Sequence, residues 1–177
     1  MTEMVRLVLA VTLLIAQAPS ASALFREGHT GYIGIRYWLQ TEDGSRLTEA
    51  QAQPGKRYSV QIRSNVAGLL MVFVTADGSE LTSPTHPPYG GMELRPGSEF
   101  TLPGTFRLVQ DVSSERLVFL FARSQTEMVR TAVQAMEKLG RLGPSLVSET
   151  VAEGAELGTY VVNRHGNPSS ATMRMTR

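Results

Sequence analysis

Two short apolar runs constrain this chain more than any other feature. Residues 68–75 carry Leu69, Leu70, Met71, Val72, Phe73 and Val74 without a break, and residues 116–122 carry Leu117, Val118, Phe119, Leu120 and Phe121. Both have the length of a strand, and turn chemistry at Ala76-Asp77-Gly78 closes the first. A run this short and this continuously apolar reads as a strand covered on both faces. Paired with each other at the centre of the fold, the two runs form a core.

The segments around them alternate with period two. Over residues 32–40, Ile33, Ile35, Tyr37 and Leu39 fall on one side and Tyr32, Arg36, Trp38 and Gln40 on the other, the pattern of a half-buried strand. Glu42-Asp43-Gly44-Ser45 closes it, Pro54-Gly55-Lys56 sets another turn, and Tyr58, Val60 and Ile62 resume the alternation over 57–63. Ala76-Asp77-Gly78 is a hairpin signal, followed by a Pro- and Gly-rich loop over 83–91. Residues 92–94 and 99–102 read as two short strands joined by a tight turn at Arg95-Pro96-Gly97, and 105–109 as another strand. The punctuation is that of a mostly β chain, an antiparallel β-sandwich of immunoglobulin-like general architecture.

The pattern changes once. Ser124 with Glu127 forms a capping box, and Met128, Val129, Ala132, Val133, Met136 and Leu139 follow at helical spacing, so an amphipathic helix is expected over about 124–139, packed on the sandwich. Gly140 and Gly143-Pro144 stop it, and 145–157 reads as a weakly patterned connection. Residues 159–162, a turn over 164–168, and Ala171, Met173 and Met175 predict a closing hairpin over about 159–176.

At the N-terminus, Val5 and Arg6 lead into an apolar run over 7–15 that ends in the small-residue stretch 19–23. That is the layout of a secretory signal peptide, too short to cross roughly 30 Å of hydrocarbon as a permanent helix. Ala21-Ser22-Ala23 predicts cleavage before Leu24, giving a signal peptide over 1–23 and one domain over 24–177, periplasmic or secreted, with no stable membrane span after cleavage. Glu3 offsets Arg6 in the n-region, and an uncut segment would instead hold the domain at a membrane surface.

The chain has no cysteine, which excludes a disulfide scaffold and Cys-based zinc sites, so core packing alone must hold an exported domain together. The formal net charge is +1 and the arginines are spread along the chain, so no nucleic-acid footprint is expected. His29, His86 and His165 sit in separate loop contexts without metal-ligand spacing, and no cofactor is expected. There is no G-x-S-x-G elbow, P-loop or dinucleotide-binding turn, so no catalytic residues are assigned and the expectation is a protein that is not an enzyme.

Residues 82–91, Thr-Ser-Pro-Thr-His-Pro-Pro-Tyr-Gly-Gly, place an imidazole and an aromatic ring on a Pro-stiffened segment at what should be a sheet edge. Thr85, His86 and Tyr89 are therefore candidate partner contacts, because loops held by a rigid scaffold collect binding residues. The bland alternative is a crossover whose prolines block edge pairing. Tyr32 and Trp38, on the polar side of the first strand, form a second candidate contact surface, which the expected helix would otherwise cover.

The order of these signals resembles a known family. An alternating strand is followed by Pro54-Gly55-Lys56-Arg57-Tyr58-Ser59-Val60, Ser64-Asn65, the run from Gly68 to Val74 and Ala76-Asp77-Gly78, then by Arg95-Pro96-Gly97 with residues 100–103 and the run 116–122. This is similar to the bacterial family catalogued as domain of unknown function 4384, over residues 32–122. One departure is Ser83-Pro84-Thr85 in place of the F-P-N stretch often found after that turn. Members are often fused to signalling or peptidase-like domains, so the resemblance implies a sensing or protein-contact role and carries no catalytic residues. The expectation is an exported binding or assembly module of the cell envelope that contacts a protein or an envelope polymer through a sheet edge, by strand addition, or through residues 82–91. The rival expectation is a periplasmic hydrolase or isomerase with its site around the same loop.

Overall fold

The computed structural model describes residues 19–26, 31–75, 83–86, 91–107, 116–126, 146–164 and 169–174. The protein is mostly β, built from two antiparallel sheets packed as a sandwich. In chain order the elements are α1 (Ala21–Arg26), β1 (Ile33–Gln40), β2 (Arg46–Leu47), a 3-10 turn (Glu49–Gln51), β3 (Arg57–Ser64), β4 (Gly68–Thr75) and β5 (Ser83–His86). They continue with β6 (Met92–Leu94), β7 (Glu99–Thr101), β8 (Phe106–Arg107), β9 (Arg116–Ala122), β10 (Leu146–Val151), β11 (Gly158–Asn163) and β12 (Ser169–Arg174).

The first sheet runs β10-β11-β1-β3-β7, with β2 beside β1 and β8 beside β3, and the second runs β12-β9-β4-β5, with β6 beside β4. Alternation in β1 and β3 works as the sequence pattern requires. Ile33, Ile35, Tyr37, Leu39, Tyr58, Val60 and Ile62 point between the sheets, where they meet Leu70, Val72, Leu117, Phe119 and Phe121. The two apolar runs pair with each other from Leu69 opposite Ala122 to Thr75 opposite Arg116. Both faces of this pair are buried, since Phe73, Val118 and Leu120 form a second cluster with Met71 on the side away from the main core. Gly68 is required where the two strands meet: a Cβ there would lie 2.5 Å from the Ala122 carbonyl oxygen and 2.7 Å from the Phe121 ring.

Four local expectations differ from the structure, two for the same physical reason. Residues 92–94 and 99–101 do not form a hairpin: β6 pairs with β4 and β7 with β3, so Arg95-Pro96-Gly97 arches from one sheet to the other. Gly97 N–H donates to the Ser64 carbonyl at 3.0 Å, which fixes the arch. The closing segment is likewise no hairpin, because β11 joins β1 and β10 while β12 joins β9. Residues 146–151, expected as a connection, form β10 in continuous register with β11. Part of the expected 83–91 loop is a strand, β5, paired with β4 and interrupted by a register shift between Val72 and Phe73. In the first two cases the local turn was readable, but the partner was set by distant segments; in the third the pairing is local and the polar Glu149 hid the strand pattern.

Beyond Thr126 the expected helix over 124–139 lies outside the described residues. The expected domain boundary before Leu24 falls inside α1. That short helix packs against β10, β11 and β1, with Ala21 and Leu24 buried beside Tyr160 and Val162.

Candidate functional site

The feature with the clearest capacity to engage a partner is the free side of β10. This strand ends the first sheet, and all six of its residues are in unbroken register with β11, from Leu146 opposite Asn163 to Val151 opposite Gly158. Among the described residues no strand pairs with its other side. It contains no proline and no lysine, the residues that commonly blunt an edge. Ser148 and Thr150 stand opposite Val161 and Thr159 and so face the second sheet, yet both are exposed. β10 therefore overhangs the second sheet, and its ladder side and inner face open together.

The opposite face of β10 is closed. Val147 and Val151 pack with Phe25 and Tyr32 around the buried Ala21, Leu24, Tyr160 and Val162. The Ser22 N–H donates to the Glu149 carboxylate at 2.7 Å. That bond, with help from the Ser22 hydroxyl, holds the Glu149 pKa below its ordinary value. Phe25 meets the Tyr160 ring edge-on at 5.4 Å. The edge is thus presented from a braced face.

The hairpin that carries the edge is built on Arg36, which is 2 % exposed. Its Nε donates to the Leu157 carbonyl at 3.2 Å, and its Nη2 donates to Leu157 at 2.7 Å and to Ala155 at 2.8 Å. Its Nη1 reaches the Glu156 carboxylate at 3.3 Å. Its guanidinium carbon lies 4.9 Å from the centre of the Trp38 ring and 5.4 Å from that of Tyr160, within cation-π range. Burial lowers the Arg36 pKa, while Tyr160 and Glu156 act in the opposite sense. The guanidinium remains charged and uses its fork of donors to satisfy turn carbonyls. Tyr160 completes the arrangement, its hydroxyl 2.8 Å from both the Glu156 carboxylate and the Glu156 carbonyl. Burial and this acceptor push the Tyr160 pKa up to about 12. On the Glu156 side the same bond is the main cause that lowers its pKa.

Gly158 makes room for this. Its φ is +148°, and a Cβ would lie 2.9 Å from the Tyr37 carbonyl oxygen and 3.1 Å from Arg36 Nε. At the far end of β10, Gln51 Nε2 donates to the Ala152 carbonyl at 3.1 Å, tying the strand end to the 3-10 turn. Thr150 and Thr159 hydroxyls meet at 3.1 Å on the inner face.

The residues expected from sequence fall in three places. Tyr32 and Trp38 share the outer face of the first sheet, but Trp38 is 1 % exposed. Arg46 also lies over its ring at 4.9 Å and pairs with Glu99 at 3.0 Å, so the indole is covered rather than presented. Trp38 Nε1 finds no hydrogen-bond partner among the described residues. Tyr32 is half-buried beside α1. Thr85 and His86 belong to β5, at the edge of the second sheet, and Tyr89 lies outside the described residues. The structure thus brings Thr85 and His86 to the edge of one sheet and Tyr32 and Trp38 to the other sheet, so these four described residues share no common site.

Sequence reasoning missed β10 and Arg36. The signal for β10 was Val147 and Val151 flanking alternating polar residues, a weak pattern because Glu149 interrupts the apolar side. An open groove of about 680 Å³ lies at one end of the first sheet, lined by Thr41, Asp43, Gln51, Gln53, Lys56 and Tyr58 among others. Its polar groups are engaged in local turns: Asp43 accepts from Thr41 and Ser45, and the Tyr58 hydroxyl accepts from Gln53 N–H at 2.7 Å. Those bonds to Asp43 lower its pKa. Among the described residues no three His, Cys, Asp or Glu side chains gather as metal ligands, and no helix is long and apolar enough to cross a membrane.

Compared with protein-family models, with curated proteins and with solved structures, the chain matches none.

Proposed function

We propose that the chain is an exported, non-enzymatic binding module of the bacterial cell envelope that accepts an extended segment of a partner protein along the free side of β10. The observation that carries this reading is the open edge itself: six residues in unbroken register, without proline, overhanging the second sheet and braced from behind by α1. Unpaired backbone groups in such a row give a partner strand its main-chain hydrogen bonds, and alternate side chains give it specificity. The signal-peptide layout of residues 7–23 supports export. The resemblance to domain of unknown function 4384 over residues 32–122 supports a contact role.

The test is photo-crosslinking in cells from position 148 or 150, followed by mass spectrometry of the attached species. One recurrent envelope protein is expected, and Ser148→Lys with Thr150→Lys should abolish its capture while moving the unfolding free energy by less than about 0.5 kcal/mol. Capture from residues 82–91 and not from β10 would transfer the contact to the other sheet edge. Attachment of an envelope polymer alone would replace the protein partner, and no attachment from either place would end the reading.

A further inference from the structure

Resting on the export reading, the structure assigns a different processing position from the one the small-residue pattern first suggests: we infer that the exported chain is cut at or before the Ser20–Ala21 bond and keeps α1 as part of the folded domain. Ala21 is fully buried and Leu24 is 2 % exposed, both in the cluster with Tyr160 and Val162. A cut before Leu24 would remove Ala21 and Ser22 and place a new ammonium group on a buried residue. An unpaired charge in that position is strongly disfavoured. It would also strip Glu149 of its donor, since the 2.7 Å bond comes from the Ser22 N–H.

Contacts upstream of Leu24 continue to Pro19. Leu24 N–H donates to the Ser20 carbonyl at 3.0 Å, and Arg164 Nη2 donates to the Pro19 carbonyl at 3.2 Å. The sequence supplies small residues for an earlier cut. Ala18 and Ser20 are two positions apart, which is the spacing signal peptidase reads, and a cut after Ser20 leaves Ala21 as the first residue. The consequence reaches the open edge, because α1 is the element that closes the back of β10. Keeping it keeps the edge in place; losing it frees the outer faces of Val147, Glu149 and Val151.

The experiment is intact-mass measurement and N-terminal sequencing of the full-length chain expressed in a bacterial host and recovered from the envelope fraction, beside the variant Ala23→Gln. A long polar residue at position 23 blocks a cut before Leu24 but sits within a helix that tolerates it. The inference expects a start at Ala21 or earlier in both chains, with no precursor accumulating in the variant. A start at Leu24, or precursor accumulation in Ala23→Gln alone, overturns it. An unprocessed chain confined to the cytoplasm overturns the export reading instead, and this inference with it.

Discussion

The two sheets end very differently at β10 and β5. β10 offers six residues in one register, while β5 offers four, with Pro84 opposite Phe73 and a register shift beside it. A proline on an edge removes a donor, and a bulge twists the remaining groups away, so β5 carries the devices that discourage pairing. β10 carries neither device. Instead its hairpin is held by a buried arginine and its back by a helix. One edge carries devices that discourage strand pairing, and the other, among the described residues, carries none. Measurements that perturb each end separately can break or sharpen that contrast.

The largest effect is expected from Arg36→Ala. It leaves the Leu157 and Ala155 carbonyls without their donor and empties the space between Trp38 and Tyr160. A loss of about 3 kcal/mol in urea unfolding follows from unsatisfied buried acceptors and lost packing. Hydrogen exchange should rise first in β10 and β11 and leave β4 and β9 protected. Equal acceleration in all four strands would mean that the arginine supports the whole sandwich and not the open edge.

Gly158→Ala should cost about 2 kcal/mol, because a Cβ at φ +148° meets the Tyr37 carbonyl and Arg36. Gly154→Ala is the control. Its φ is +80° with nothing within 4 Å of the added Cβ, so only the backbone penalty of about 1 kcal/mol applies. Equal costs at the two positions would show that the close approach to Arg36 contributes nothing.

At the other edge, Pro84→Val restores a donor to β5. Sedimentation should then reveal more concentration-dependent association than in the parent chain, with unfolding free energy changed by no more than about 0.5 kcal/mol. If the variant associates no more than the parent, the register shift between Val72 and Phe73 is enough to blunt this edge.

The parts of this molecule that sequence made legible are those whose patterns are local. Period-two alternation placed β1 and β3, and unbroken apolar runs placed β4 and β9 at the centre, paired with each other as expected. Asp77-Gly78 correctly separated β4 from a strand that returns beside it, although that strand lay within an expected loop. Turn chemistry fails at a different question. Arg95-Pro96-Gly97 and residues 164–168 announce a reversal but not which sheet receives the next strand: β6 and β7 lie in different sheets, and so do β11 and β12. Arg36 illustrates the same limit at the site. In sequence it is a charge on the polar side of a strand, and its burial depends on carbonyls about 120 positions away at Ala155 and Leu157. Trp38 was legible as sharing a face with Tyr32 but not as covered, because its cover comes from Arg36 and Arg46.

The smallest effect tests the brace behind β10. The Glu149 pKa is lowered by the Ser22 N–H, so the folded chain binds its proton less readily than the unfolded chain. The stability this bond contributes is therefore fully present above the ordinary value of 4.5 and is lost as pH falls through the lower folded value. Because this carboxylate is only partly buried and so screened by solvent, the change is modest, and it should show as local exchange at α1 and β10 between neutral pH and pH values below 4.5 rather than as global unfolding. Glu149→Gln should remove that pH response. Glu156 titrates in the same range, with its pKa lowered chiefly by the Tyr160 hydroxyl. Its protonation loosens the turn at 153–157 in both chains, so the difference between parent and variant isolates α1. If β10 amides in the parent and in Glu149→Gln respond identically to acid, the helix packs on the strand through its apolar contacts alone. The open edge would then be held by Arg36 from one end and by Ala21, Leu24 and Phe25 from behind, with the carboxylate contributing nothing measurable.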